Sequence, residues 1–388
     1  MSTTDLSAAL AWLSDQGAAM EQALAQLVGI DSNSHDKAGT DAVADAMAAW
    51  FTGHGVDWER APEPAQGDAL VARLAGSRPD AAPVLLMGHR DTVFPTGTVA
   101  QRPYRREGDR AYGPGVADMK SGLVLQAFVL MALKHAPALP FPVVGLFTAD
   151  EEIGSARGRL AIESWGRGAH AALNAEPARV TGNVVSARKG GATIRIVVRG
   201  RAAHSGVNHA EGASAIGALA IKVQALHALT DYASGVTTNV GLIGGGLSSN
   251  TVAPEAEARL DVRFCTAAQR LALLEAVDAI VKRTDVPGTD ASFDVVSEFL
   301  PLEPRCSEAL LALYQESARA SGFEVEGEFT GGCSDAGFTA AMGIPTLCGL
   351  GPVGAKAHTE GEYCRLETFV PRAQAVLRML GRMADSVA

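Results

Sequence analysis

The chain has 388 residues, with 33 Lys+Arg against 43 Asp+Glu and a formal net charge of −10. Apolar residues make up 47% and charged residues 20%, proportions of a folded globular chain that exclude a disordered one. The acidic balance argues against nucleic acid, whose phosphates need clustered Lys and Arg.

At ~150 residues per domain the length predicts two or three domains. The start, MSTTDLSAALAWLSD, has no basic segment ahead of an apolar one, so no secretory signal is expected. No uncharged apolar stretch of ~20 residues predicts a membrane span. The cysteines (Cys265, Cys306, Cys333, Cys348, Cys364) are odd in number and lack CxxC spacing. Neither a disulfide framework nor a thiolate zinc site is expected, and a reducing cytoplasm is the natural setting.

In chain order, an Ala/Leu pattern at three- and four-residue spacing predicts helix over residues 6–28 and again over 42–51. Short apolar runs at 69–74, 84–87, 143–147 and 171–173 predict strands, with helices at 121–134 and 157–165. Such alternation predicts an α/β sheet with much parallel pairing. The middle of the chain differs. Ile194, Ile196 and Val198 alternate with polar neighbours over 192–198. A helix over 213–229 follows, then strands over 237–243 and 256–264 around Gly244-Gly245-Gly246, a helix over 267–283 and a strand over 292–296. That β-α-β-β-α-β order is the split βαβ, or ferredoxin-like, arrangement. The tail returns to the first style, with helix over 307–321, strand over 345–350 and helix over 368–383. The expected architecture is an α/β domain of residues 1–189 and 300–388, interrupted by an inserted ferredoxin-like α+β domain of residues 190–299.

Five segments hold the grouped polar residues. They are GHRDTV with His89 and Asp91, GPGVADMKSG with Asp118, TADEEIGS with Asp150, Glu151 and Glu152, NAEP with Glu176, and AKAHTEGE with His358. Most follow a predicted strand directly, and open α/β sheets bind ligands beyond the carboxyl ends of their strands. Two histidines with three or four carboxylates form a nitrogen and oxygen donor set that suits zinc, with manganese or cobalt as alternatives. Grouped carboxylates repel one another unless a cation or proton intervenes. Two divalent ions ~3.5–4 Å apart can share one carboxylate and activate one water. Glu151 and Glu152 would diverge on leaving a strand, so one can bind metal while the other serves as general base. Asp91 can orient the His89 imidazole. Taken singly, each segment has an ordinary structural reading: DEE as a helix start, Asp118 as a cap on the 121–134 helix. Their shared strand-end placement is what argues for a metal site.

Together with GRAAHSG, these segments resemble the aminoacylase/carboxypeptidase family of co-catalytic zinc peptidases, in the same order along essentially the whole chain. That family includes folate-cleaving glutamate carboxypeptidase, acetylornithine deacetylase and succinyl-diaminopimelate desuccinylase. The resemblance implies a two-zinc catalytic domain with an inserted dimerisation domain, and hence a homodimer. It implies that His89 and Glu176 hold one ion and that Glu152 and His358 hold the other. Asp118 is implied to bridge both, beside a cis peptide bond to Met119. Glu151 is implied to be the general base and acid, with Asp91 supporting His89. His204 is implied to bind the polarised carbonyl oxygen, often from the other subunit. Asn250 and Arg263 are implied to hold substrate, Arg263 by a carboxylate, with Gly331 and Gly332 in a loop beside it. The residues agree locally, because alternation over 256–264 turns Asp261 and Arg263 away from the face of Leu260, Val262 and Phe264. An arginine fork matches a carboxylate.

The expected activity is metal-dependent hydrolysis of an amide, releasing a C-terminal amino acid from an N-acyl amino acid or small peptide. The expected partners are that small substrate, with its free carboxylate, and a second copy of the chain, with no nucleic acid and no membrane. An aminoacylase, deacetylase or dipeptidase of the same family is the alternative. A non-catalytic metal-binding protein is a weaker one, since Glu151 is present. A serine or cysteine hydrolase would use Ser334 or Cys333, and no GxSxG elbow surrounds Ser334. Glutamate-preferring members place basic residues near the positions of Asn183 and Leu300, which are uncharged here; Arg188 and Lys189 are the cations close by.

Overall fold

The structure is a computed structural model that describes residues 4–387. The described residues pack as two compact units, one within Met1–Ala187, Leu302–Thr330 and Asp335–Ala388, the other within Arg188–Pro301 and Gly331–Ser334. Among the described residues, ten strands build the two main sheets: β1 (Asp57–Ala61), β2 (Ala69–Leu74), β3 (Val84–His89), β4 (Val143–Thr148), β5 (Ala171–Asn174), β6 (Gly190–Arg199), β7 (Thr237–Gly245), β8 (Glu255–Phe264), β9 (Asp290–Phe299) and β10 (Thr346–Leu347).

The larger unit holds the sheet β1-β2-β4-β3-β5-β10. Strands β4, β3, β5 and β10 run parallel, while β2 and β1 add an antiparallel edge. The sheet is therefore mixed, with a parallel centre. Every residue of β3, β4 and β5 is buried. Covering both faces removes the polar alternation and leaves the continuous apolar runs seen in the sequence. Arg90 follows β3 and is itself fully buried. Its guanidinium donates to the carbonyls of Thr40, Asp68 and Phe147, which anchors the strand end that carries His89 and Asp91.

The Ser121–Ala132 helix is buried along its whole length. Among the described residues, Val116–His135 is the one helical run long and apolar enough to cross a membrane, and 94% of its apolar window is buried inside this unit. It is a core helix. The stretch expected as one helix over 6–28 is two, Ser7–Ser14 and Gly17–Val28. Asp15, Gln16 and Gly17 fall at the break, and aspartate and glycine are poor helix formers. The next helix begins at Lys37, earlier than the apolar pattern suggests, because Asp36 caps it through the Gly39 amide at 3.0 Å. Strand β1, sequence DWERA, escaped the apolar reading because it is a half-exposed edge.

The smaller unit is an antiparallel sheet in the order β7-β8-β6-β9, with the helices Ala215–His227 and Ala267–Lys282 packed on it. The chain order and sheet order together give the ferredoxin-like arrangement. Ala256, Ala258, Leu260, Val262 and Phe264 of β8 are buried towards the helices, and Asp261 and Arg263 alternate with them.

One glycine couples this packing to the region of Glu176. A Cβ on Gly122 would fall on the backbone oxygen of Ala175, well inside contact distance. Gly122→Ala should therefore push the buried helix off the β5 end. The expected loss of stability is roughly 1–3 kcal/mol, read as a lowered unfolding midpoint by calorimetry or denaturant titration.

Candidate metal and active site

Strand ends and the turns after them bring six of the expected residues together in the larger unit. His89 ends β3, Glu151 and Glu152 follow β4, Glu176 follows β5, Asp118 precedes the Ser121–Ala132 helix, and His358 lies in a loop near the C-terminal end of the chain. The Asp118–Met119 peptide bond is cis.

Asp118 stands at the centre. Its Oδ1 lies 3.2 Å from His89 Nε2 and its Oδ2 lies 3.4 Å from His358 Nε2. One carboxylate thus faces two histidines, one oxygen to each. On the His89 side, Nε2 lies 3.7 Å from Glu176 Oε1 and 3.9 Å from Glu151 Oε2. On the other side, His358 Nε2 lies 3.1 Å from Glu152 Oε2. Ligand atoms of His89, Asp118 and Glu152 all fall within 4.8 Å of one another.

Glu151 and Glu152 do not leave β4 as a continuing strand, which corrects the alternation argument made from sequence. They form a 3-10 turn, Glu151–Ile153. Neighbours on such a turn are ~120° apart rather than opposed, so both carboxylates face the histidines.

Asp91 is fully buried and holds this turn. Its Oδ1 accepts from the Glu151 amide at 3.2 Å, and its Oδ2 accepts from the Glu152 amide at 3.1 Å and the Ser34 hydroxyl at 2.6 Å. His89 Nδ1 lies 3.3 Å from Asp91 Oδ1 and 3.1 Å from its backbone oxygen. A proton on Nδ1 directed at Asp91 leaves the Nε2 lone pair facing Asp118.

The electrostatics fit a cation. Burial pushes the Glu151 carboxyl well above its ordinary value, and the charges of Glu176, Glu152 and Asp335 add to this against the pull of His89. Burial raises Glu152 too, with His358 opposing. The carboxylates of Asp118 and Glu152 lift His358 to about 10. Burial would lower His89, but its hydrogen bonds to Asp118 and Asp91 hold it well above an ordinary histidine. Burial would likewise raise Asp118, yet the two histidines hold it far below the usual carboxylate range. Four carboxylates gather around two imidazoles, and protons and divalent cations compete for the same atoms. Glu152 Oε1 is buried with no hydrogen-bond partner among the described residues, a lone acceptor of the kind a metal ion satisfies.

Three supporting acids have no role assigned from the sequence: Asp150, which belongs to the TADEEIGS segment, Glu362, the last residue of AKAHTEGE, and Asp335, which the segments leave out. Asp335 is buried, accepts from the hydroxyls of Thr148 and Ser155, and is lifted by burial to about 6. Asp150 accepts from the amides of Arg157 and Gly158. Glu362 accepts from the amides of Gly115, Ala117 and Asp118. The available signals were weak: a Ser-Asp pair after two glycines, and a second acid four residues beyond His358.

The remaining expected residues lie in the smaller unit. His204 bridges to Thr251, and the Ser205 amide donates to the Asn250 carbonyl at 2.9 Å. Arg263 belongs to β8. Its Nε and Nη2 donate to Asp261 at 3.0 and 2.8 Å, and its Nη1 lies 2.9 Å from Cys333 Sγ. Cys333 follows Gly331 and Gly332, so the glycine loop and Arg263 are neighbours. Arg188 and Lys189 are not free cations: Arg188 donates to the carbonyls of Gly332 and Cys333, and Lys189 to that of Gly235.

The two clusters sit at opposite ends of one ladder. Arg263 pairs with Gly191 at one end and Glu255 with Arg199 at the other, and the His204–Thr251 bridge lies beyond that end. Eight residues separate Glu255 from Arg263, roughly 26 Å of strand.

The profile of peptidase family M20/M25/M40 matches residues 85–382. The chain belongs to that family. It is therefore a metallopeptidase or amidohydrolase, an enzyme of a metal-dependent group whose members act on peptide or acyl-amino-acid substrates. It is 27% identical to carboxypeptidase G2 of a Pseudomonas species over 377 residues, 94% of this chain and 89% of that one. It is 32% identical to the acetylornithine deacetylase of Salmonella arizonae over 232 residues, 56% of this chain and 59% of the relative. In fold it is similar to a tripeptidase from Staphylococcus aureus, with a TM-score of 0.77 at 21% identity over 95% of this chain and 99% of the other.

The bonds around Asp91 generate a prediction. In Asp91→Asn an NH2 group would face an amide N–H of Glu151 or Glu152, with donor opposed to donor. Unfolding should become easier by about 1–3 kcal/mol, measured by denaturant melts.

Proposed function

We propose that this chain is a two-metal carboxypeptidase-type hydrolase, releasing an amino acid from an N-acyl amino acid or a small peptide. The observation that carries the reading is the Asp118 carboxylate turned to His89 with one oxygen and to His358 with the other, with Glu151 alongside. In this reading His89 and Glu176 hold one ion, Glu152 and His358 the other, and Asp118 both. Two divalent ions, zinc by donor set with cobalt or manganese as alternatives, would supply the Lewis acid that acidifies water and polarises the scissile carbonyl.

The chain's own groups do the rest. Glu151, with its affinity for protons raised by burial, takes the proton of the attacking water and hands it to the leaving amine. His204 donates to the carbonyl oxygen as negative charge grows there. Arg263, oriented by Asp261 and beside the glycine loop, receives the free carboxylate of the leaving amino acid. Arg188 and Lys189 are engaged by backbone carbonyls, and a neutral or apolar leaving amino acid is as compatible with this reading as glutamate. The similarity to acetylornithine deacetylase supports an acyl-amino-acid substrate as readily as a peptide one.

The residues 190–299 are proposed as a dimerisation domain, and the protein as a cytoplasmic homodimer. A substrate two residues long spans only ~7 Å, so it cannot reach both His204 and Arg263 of one chain across the ladder. One of them must come from a second copy. The outer strand β7 and the loop after it expose Leu242, Ile243 and Leu247 at 69%, 60% and 77%, an apolar sheet edge suited to a symmetric partner.

Chelation should abolish hydrolysis, and zinc, cobalt or manganese should restore it. Glu151→Ala should keep its metal content by elemental analysis while turnover falls at least ~10²-fold; undiminished turnover would remove Glu151 from the role.

Dimer complementation tests the second copy. His204→Ala and Arg263→Ala should each be nearly inactive alone. After subunit exchange, the mixed dimer holds one intact site if His204 acts across the interface, and activity should reappear. Failure to regain activity in a verified mixed dimer would place both groups on one chain's substrate.

A further inference from the structure

His358 sits on a loop with no regular structure of its own. The loop joins two short paired strands, Gly354–Ala355 and Tyr363–Arg365. Two of its residues, Lys356 and His358, have φ of +60° and +63°. For side chains other than glycine this left-handed conformation costs about 1–2 kcal/mol per residue, and it persists only where the surroundings enforce it. The His358 side chain is 51% exposed, so packing alone does little to fix it.

The anchor is at the other end of the loop. Glu362 is 1% exposed. Its Oε1 accepts from the amides of Ala117 at 2.8 Å and Asp118 at 2.9 Å, and its Oε2 from that of Gly115 at 3.2 Å. A single carboxylate thus ties the His358 loop to the turn that presents Asp118. The buried Lys120 ammonium, held by the Ile30 carbonyl at 2.8 Å, supplies opposing charge nearby. A buried acid with three backbone donors on it is more than a filler, since those amides would otherwise lie buried without an acceptor.

We propose that Glu362 is a positioning residue of the metal centre: it sets the spacing between Asp118 and His358, and through it the affinity for the ion that these two residues share. This inference rests on the ligand reading given above and extends it to a residue that touches no ion itself. Only a carboxylate fits all three donors. An amide in its place keeps one acceptor oxygen for Ala117 and Asp118 but turns an NH2 on the Gly115 amide. Partners behind a metal ligand typically contribute about 10–100-fold in metal affinity.

The test is a titration of the demetallated full-length chain with Zn(II) or Co(II) against a chromophoric chelator. Glu362→Gln should weaken one of the two bound ions about 10–100-fold and change the Co(II) absorption spectrum, while the near-UV circular dichroism of the metal-free protein stays that of the parent. Both affinities within twofold of the parent would overturn the proposal. So would equal weakening of both ions, since a general loosening of the fold is not selective. Should Glu362→Gln lose its near-UV signal, Glu362→Asp carries the same test: it keeps the charge but withdraws it by about 1.5 Å, and it should show the same selective weakening. His358→Ala separates the two readings. If it too keeps both ions at full affinity, the ligand assignment itself fails; if it loses one while Glu362→Gln loses neither, only the positioning role fails.

Discussion

Buried negative charge in excess is the constraint around which the larger unit is organised. Asp118, Glu151, Glu152 and Glu176 meet two imidazoles in a place that burial makes hostile to charge. Isolated carboxylates there would take up protons or disperse. They stay together because the strands that end beside them are wholly buried and cannot shift without opening the core. The rigidity of the parallel strands is thus what makes a high local charge sustainable, and a cluster sustained in this way is poised for divalent cations.

A second layer of acids does a different task. Asp91, Asp150, Asp335 and Glu362 point at backbone amides and hydroxyls rather than at one another. Asp91 and Glu362 hold ligand-bearing turns, Asp150 holds the start of the Gly158–Gly166 helix, and Asp335 holds the end of β4. Turns carrying ligands cannot be regular, because their amides would then be consumed by helix or sheet. The buried carboxylates of Asp91 and Glu362 take such amides instead. Asp91 holds the amides of Glu151 and Glu152 while also facing His89 Nδ1.

The smaller unit follows a simpler rule. Strand alternation sends one face of β8 to the helices and leaves the other for polar groups. Arg263 therefore lies on the polar face, where Asp261, two residues away, accepts from its Nε and Nη2. The ladder that aligns these residues also carries His204 beyond its far end, so the unit holds two polar clusters about eight strand residues apart.

The sequence by itself determined the kinds of element and most of the cluster. Periodicity of two or of three to four residues reports which faces are buried, and burial is a local property of each strand or helix. That is why the β-α-β-β-α-β middle was legible, and why His89, Glu152 and Glu176 stood out: each follows directly on an apolar run. Tertiary structure decided what no window of residues contains. The 3-10 turn after β4 set the directions of Glu151 and Glu152 where a continuing strand would have opposed them. The role of Glu362 depends on an amide 247 positions earlier in the chain, and that of Asp335 on hydroxyls 187 and 180 positions earlier. Hydrogen bonds of that span leave no periodic trace, because their geometry exists only after the sheet has brought the loops side by side.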